Sequence, residues 1–468
     1  MNFIRLRETG CRDLESFFMK KTFSLFFVIS FSLLFVTSCE SSPNTNSGRF
    51  SNLTTPVIDG EFSGLCGDQS FIEKNNLVMN DELVPMTDVI YVSPDGLDSN
   101  DGSSESPYKS FSKALSKLSP GKTLYLKSGT YTEQLVLGSE IAGTKENYIN
   151  ITGDSVNPVI LDGTSFTEDF RLMVISGASY VKISHLAFSH SNGLDAAGII
   201  IEPPSNHIII DNCSFSDIKV PSPKVQGHVA NGISCFGDST ESINNILLYK
   251  NSFINMATGW GECISITGNC EHINIVENTV DNTGNIGIDV GGNYGYCKEP
   301  SIDFARWVYI YKNTVKNCES AYGDTAYGIY ADGGQHIQII ENIVRNCSGG
   351  IEAGAEETQK SIDYATSDIL IKENDVSNSV ECALSIGGYE ENLGWVCNVK
   401  VIENIFTDNA DKEDGALITL NKCNNVLIEN NTFTESDGVY GGTFLYKALS
   451  DDYIRNVTIG ANVLNGIE

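Results

Sequence analysis

ILLYKNSF at residues 246–253 returns as INIVENTV at 273–280, VYIYKNTV at 308–315, IQIIENIV at 337–344, ILIKENDV at 369–376, VKVIENIF at 399–406 and VLIENNTF at 426–433. The shared Asn falls at Asn251, Asn278, Asn313, Asn342, Asn374, Asn404 and Asn431. Asn462 closes the series, Cys213 holds the equivalent place one unit earlier, and from Asn251 onward the intervals run from 27 to 35 residues. A second short run accompanies each unit: GIII from Gly198, GISC from Gly232, CISI from Cys263, GIDV from Gly287, GIYA from Gly328, GIEA from Gly350, ALSI from Ala383 and ALIT from Ala416. Apolar residues alternate with a period of two inside these runs, which is the period of a strand and excludes helical repeats. Two or three short strands in a unit of about 30 residues, stacked on copies of itself, make a parallel β-solenoid in which each coil adds a strand to each wall about 4.8 Å from the last. The corner Asn suits this role because it tolerates a left-handed backbone and its stacked amides hydrogen-bond from coil to coil. A propeller, with four strands in about 40 residues, fits the spacing less well.

An open solenoid needs its first coil covered. Tyr108, Phe111, Ala114, Leu115 and Leu118 have helical spacing, so Pro107 to Leu118 is expected to be an amphipathic cap. The order of the leading segments is more specific: the strand at YVSPDG, a DSNDGSS turn, a Ser-Pro-Tyr helix start, PGKTLYLKSGTY and VILDG. In that order they resemble the opening of bacterial right-handed parallel β-helix proteins of the pectate-lyase-like superfamily, a likeness that spans residues 88–468. The resemblance implies an all-β, single-stranded, right-handed parallel β-helix. It identifies architecture well and reaction poorly, since that superfamily holds lyases, hydrolases, epimerases and binding proteins.

Upstream of the repeats the sequence reads as an address. From Met19, two lysines precede an apolar run from Phe23 to Val36, then Thr37, Ser38 and Cys39. A basic start, an apolar stretch and small residues before a cut describe a secretory signal, and small residues leading into Cys39 resemble a bacterial lipoprotein signal. Residues 1–18 lie upstream of this better start. The expected organisation is a leader over 1–38, a polar tether and N-terminal segment over 39–87, and the β-helix over 88–468. Cys39 is the expected lipidation site, and the bacterial cell envelope the expected location, with the lipid anchor as the chain's contact with a membrane.

With 60 acidic against 30 basic side chains and a formal charge of −30, a nucleic-acid partner is excluded, because phosphate binding needs clustered Lys and Arg. Thirteen Cys are present but no CxxC pair has metal-ligand spacing, so cysteines inside strand runs, such as Cys213, Cys235 and Cys263, read as small buried hydrophobes. No structural metal is expected.

Candidate chemistry emerges when the short runs are stacked. With Ile199, Ile233, Ile264, Ile288, Ile329, Ile351, Leu384 and Leu417 pointing inward, the residue after each points outward: Ile200, Ser234, Ser265, Asp289, Tyr330, Glu352, Ser385 and Ile418. Two residues further on stand Glu202, Phe236, Thr267, Gly291, Asp332, Gly354, Gly387 and Leu420. Asp289, Asp332 and Glu352 thus cluster in three consecutive coils, with glycines beside them that leave room for a ligand. Asp289 and Asp332 differ by one coil and two residues, about 8 Å between α-carbons, and Asp332 and Glu352 similarly. Carboxylates about 5 to 9.5 Å apart break glycosidic bonds, one protonating the leaving oxygen and the other activating water or attacking carbon. Close acids also push their pKa values apart. Glu262, one coil earlier, is a further catalytic candidate. Tyr330 on the stack, Trp260 as a stacking platform and His228 in the preceding loop are candidate substrate contacts.

A neutral-glycan hydrolase is therefore the first expectation, needing no cofactor. A calcium-dependent lyase of pectate-lyase type is the alternative; it removes a carbon-bound proton with Lys, Arg, Tyr or His, and only Tyr330 on this face qualifies. A third possibility is a non-catalytic surface β-helix that binds glycan. The partner in each case is a polysaccharide or oligosaccharide, and a cleft on one wall needs no second subunit, so a monomer is expected.

Overall fold

The computed structural model describes residues 88–467, apart from 167–169, 358–363, 413–414 and 437–442. The expected leader, tether and lipidated Cys39 lie outside the described residues. Within them, the period-two runs form three parallel sheets of 13, 12 and 11 strands. Wall 1 takes the strand that ends at the corner Asn, such as Ile243–Tyr249. Wall 2 takes the short strand after it, Ser252–Met256, and wall 3 the second run, Ile264–Gly268, before Cys270–Val276 returns to wall 1. Successive coils stack in register, as in Ile246 on Ile273 and Ile273 on Val308.

The Asn corner is a buried ladder. Asn251 donates from its backbone N–H and its Nδ2 to Asn278 Oδ1, at 2.9 and 3.0 Å. The same double bond recurs from Asn278 through Asn313, Asn342, Asn374, Asn404 and Asn431 to Asn462. Cys213 enters the ladder through its backbone N–H, which donates to Asn251 Oδ1 at 3.0 Å. One expectation is corrected: the left-handed residue is the one before each ladder Asn. Lys250, Glu277, Lys312, Glu341, Glu373, Glu403 and Asn430 have φ between 52° and 60°. The turn reverses there, on an outward side chain, which leaves the Asn free to aim its amide along the axis.

Wall 2 fills the core with a column of Phe188, Phe215 and Phe253, stacked 4.9 and 4.5 Å apart, then Val280, Val315, Val344 and Val376, then Phe406 and Phe433. This column explains the glycine that opens the wall 3 runs. A Cβ at Gly287 would stand 2.5 Å from Val315, and one at Gly328 2.4 Å from Val344. The cysteines agree with their sequence reading, every one among the described residues being a buried free thiol. The cap helix is shorter than expected, Phe111–Leu115, because Ser110 caps it, accepting from the Lys113 N–H, and Ser116 ends it. Phe111 stacks on Tyr131, and Leu115 and Leu118 pack against the core. Asp98 of the DSNDGSS stretch accepts from the N–H groups of Lys109 and Ser110, so it braces this cap.

Candidate active site

The outward column of wall 3 has the register read from the sequence. Ile200, Ser234, Ser265, Asp289, Tyr330, Glu352 and Ser385 pair in turn, and Asp332 pairs with Gly354 two residues further on. Their inward partners Ile288, Ile329 and Ile351 are fully buried. The register slips at the ALIT run: Leu384 pairs with Ile418 and Ser385 with Thr419, so Ile418, not Leu417, is equivalent to Leu384. The similarity of ALSI and ALIT suggested the other alignment, but the hydrogen bonds set Ala416 against Cys382.

The second correction concerns exposure. Asp289, Tyr330, Asp332 and Glu352 are only 3 to 6% exposed, not an open patch of wall. The room beside Gly354 is taken by Tyr330, whose Oη lies 2.6 Å from where a Cβ would be, and Gly291 adjoins Asp289 Oδ2 and Thr267 in the same way. Cover comes from the segments that follow two of the strands. Tyr294 Oη donates to Asp332 Oδ2, and the Glu356 N–H donates to Asp332 Oδ1 at 3.0 Å. The segment bearing Tyr294 is folded back by Asp303, whose carboxylate accepts from the N–H groups of Gly295 and Cys297 at 2.5 and 2.8 Å. Glu352 Oε1 accepts from Ser385 Oγ at 2.9 Å.

These surroundings separate the titrations. Burial holds the Glu352 carboxyl well above the usual carboxylate range; Glu356 and Asp332 add to this, and the Ser385 hydroxyl partly offsets it. Burial also pushes the Tyr330 phenol upward, with Asp332 and Glu352 raising it further, and Tyr294 is raised by burial and then by Asp332. The wall therefore sets a carboxyl group that resists ionisation beside Asp332, which accepts hydrogen bonds at both oxygens. Tyr330 is held as a phenol, a poor base for carbon-bound protons. Among the described residues no three His, Cys, Asp or Glu side chains converge as a metal site.

Glu262, Trp260 and His228 lie elsewhere on the wall. Glu262 is part-exposed and precedes the strand, which begins at Ile264; it stands three residues before Ser265, the partner of Asp289, or about 10 Å along the strand direction. Its backbone carbonyl accepts from Asn231 Nδ2. The Trp260 backbone N–H donates to the His228 carbonyl, and one face of its indole is stacked on Tyr322, centroids 4.2 Å apart. These residues gather at the N-terminal edge of wall 3 and the acids at its middle. Sequence reasoning missed Tyr294 and Glu356. Glu356 had a signal, since carrying the outward alternation two residues past Gly354 reaches it. Tyr294 had none, because its place depends on how the following segment folds back.

Three walls, an Asn corner and a row of acids on one wall define a parallel β-helix protein, and comparison with known proteins places the chain among the right-handed ones. A Pel9A-like right-handed β-helix region matches residues 90–262, and a right-handed β-helix region matches 301–459. The chain is 31% identical over 365 residues, 75% of each chain, to the uncharacterized protein YwoF of Bacillus subtilis (strain 168). It belongs to the family of right-handed β-helix proteins that includes YwoF. Among solved structures it is similar in fold to the GH136 lacto-N-biosidase of Eubacterium ramulus, with TM-score 0.50, 15% identity and coverage of 85% of this chain and 71% of that one. It is similar also to PfbA, a surface adhesin of Streptococcus pneumoniae, with TM-score 0.52, 13% identity and coverage of 76% and 86%.

Proposed function

We propose that the protein is a carbohydrate-active enzyme that hydrolyses glycosidic bonds of a neutral polysaccharide or oligosaccharide on wall 3. The observation that carries this reading is the buried pairing of Glu352, whose carboxyl resists ionisation, with Asp332 on the adjacent coil. Glu352 protonates the leaving glycosidic oxygen. Asp332, oriented by Tyr294 Oη and the Glu356 N–H, either attacks the anomeric carbon or takes the proton of the water that does. Asp289, one coil below, adds negative charge that favours the oxocarbenium-like transition state, and Tyr330 positions the ring. Tyr294 must give way for substrate to enter. Glu262, Trp260 and His228 meet a distal part of the glycan. No cofactor takes part; the raised Tyr330 phenol weighs against the calcium-dependent lyase, which needs a base there. The chain is exported and anchored through a lipid on Cys39, so Cys39→Ala is expected to abolish labelling of the protein by a radioactive fatty acid.

The test is a screen of the purified protein against neutral glycans, read for new reducing ends and for unsaturated uronate products, with and without chelator. Reducing ends that appear without unsaturated product, indifferent to chelator, and fall about a thousandfold in Asp332→Asn and Glu352→Gln support hydrolysis. Unsaturated product lost with chelator would establish the lyase instead. The near-complete burial of the acids favours a second reading, a surface β-helix that binds glycan without cleaving it. It predicts no product and glycan binding unchanged in Asp332→Asn.

A further inference from the structure

A cleft of about 500 Å³ lies away from the acid wall, where wall 2 turns toward wall 3. Asn255, Asn282, Asn317 and Asn346 line it from four successive coils, together with Thr283, Glu319 and the apolar Pro223, Met256, Ala257 and Ala321. We propose that this cleft is a binding subsite for a neutral glycan chain lying along the solenoid axis, separate from the acid wall and independent of the chemistry assigned there.

The four Asn form a second row, unlike the ladder inside the corner. All are exposed, and all have left-handed backbones, with φ from 54° to 63°. Asn282 Nδ2 donates to Asn255 Oδ1 at 2.8 Å, Asn346 Nδ2 to Asn317 Oδ1 at 3.4 Å, and Asn317 Nδ2 to Asp281 Oδ1 at 2.6 Å. An amide has two N–H donors and two acceptor lone pairs, so each retains capacity toward solvent after these bonds. The row repeats every coil, about 4.8 Å, close to the advance of successive sugars in an extended chain.

The rest of the lining says what kind of ligand would suit the row. Thr283, 2% exposed and paired on wall 2 with the core residues Met256 and Cys318, closes the floor of the cleft. Amides with a single carboxylate favour neutral sugar hydroxyls, and the apolar lining suits the C–H faces of pyranose rings. A formal charge of −30 and Glu319 in the lining oppose a polyuronate. The volume falls in the range of ligand pockets, about 300–1,000 Å³.

The probes are cellohexaose, xylohexaose and mannohexaose, with hexagalacturonate as the charged comparison, titrated calorimetrically into the full protein and into Asp332→Asn. At least one neutral hexasaccharide is expected to bind both alike. Binding is expected to weaken at least about tenfold in Asn282→Gly/Asn317→Gly, which keeps the left-handed backbone while removing the amides, and in Ala321→Arg, which fills the cleft. Circular dichroism verifies that both variants fold; should one not, the other carries the comparison. Absence of binding by all three neutral probes at millimolar concentration, binding of hexagalacturonate alone, or unchanged affinity in a folded cleft variant overturns the proposal. Loss of binding in Asp332→Asn alone would move the glycan to the acid wall. Activity lost in Asp332→Asn with binding here intact bears only on the hydrolase reading.

Discussion

Two buried polar columns run along this solenoid, and they are built on opposite principles. At the corner between walls 1 and 2, one residue type repeats, and Asn278 and its successors receive two hydrogen bonds from the rung before. On wall 3 the column changes identity at each coil, from Ser265 to Asp289, Tyr330, Glu352 and Ser385, and with Asp332 two residues beyond Tyr330 it places carboxyl groups in three consecutive rungs. The first column gains from repetition because each amide satisfies its neighbour. The second costs stability, since burying Glu352 near Asp332 and Glu356 opposes ionisation. A buried column that repeats is accounted for by folding alone. One that opposes folding points to chemistry, which is why the acid wall and not the corner is the candidate site.

The largest expected effect that sharpens this contrast comes from cutting the ladder in its middle. Asn342→Ala removes the acceptor of the Asn313 N–H and Nδ2 and the donor to Asn374, leaving several buried polar groups unpaired. A loss of about 3 to 5 kcal/mol is expected, read from denaturant midpoints, if each orphaned group costs about 1–3 kcal/mol. Glu352→Gln, at similar burial, is expected to lose less than 1 kcal/mol near neutral pH or to gain, because it removes a group that resists ionisation. Equal losses at the two positions would erase the distinction.

How far this contrast was legible in the sequence depends on which residues repeat. The corner Asn, the inward Ile of wall 3 and the outward placement of Asp289, Tyr330 and Glu352 all follow from period two within a coil and a coil of about 30 residues. The burial of the acids was not legible, because their cover is Tyr294 and the Glu356 backbone, fixed by hydrogen bonds from Gly295 and Cys297 to Asp303 that leave no periodic trace. The slip at Ile418 escaped because residue identity and hydrogen-bond register disagree in that coil.

A smaller effect follows from protonation. The Glu352 carboxyl has a folded-state pKa raised above its ordinary value of 4.5, so the folded state holds this proton more tightly than the unfolded one. Its contribution to stability is fully present below pH 4.5 and is lost as pH rises from there through the folded value. The unfolding temperature of the wild type, measured against that of Glu352→Gln from pH 4 upward, is expected to fall relative to the variant as pH rises. A difference that stays flat or climbs would place the carboxyl among ordinary, solvated acids and remove the proton donor from the proposed reaction.

The smallest effect tests the corner residue by residue. Glu373 and Asn374 are neighbours, yet Glu373 carries the left-handed backbone, φ 55°, and Asn374 the ladder. Non-glycine residues in that region are strained by about 1 kcal/mol, and glycine is not. Glu373→Gly is therefore expected to change stability by less than about 1 kcal/mol, relief of strain being offset by the flexibility glycine adds to the unfolded chain and by the exposed contact with Lys372. Asn374→Gly removes the same amide bonds as an alanine and is expected to lose several kcal/mol, although glycine is the residue turns favour most. If the turn itself were the reason for Asn at this corner, glycine would be tolerated at position 374 and the ordering of the two variants would reverse. Parallel denaturant titrations of the two decide whether the corner is held by its backbone or by the amide ladder.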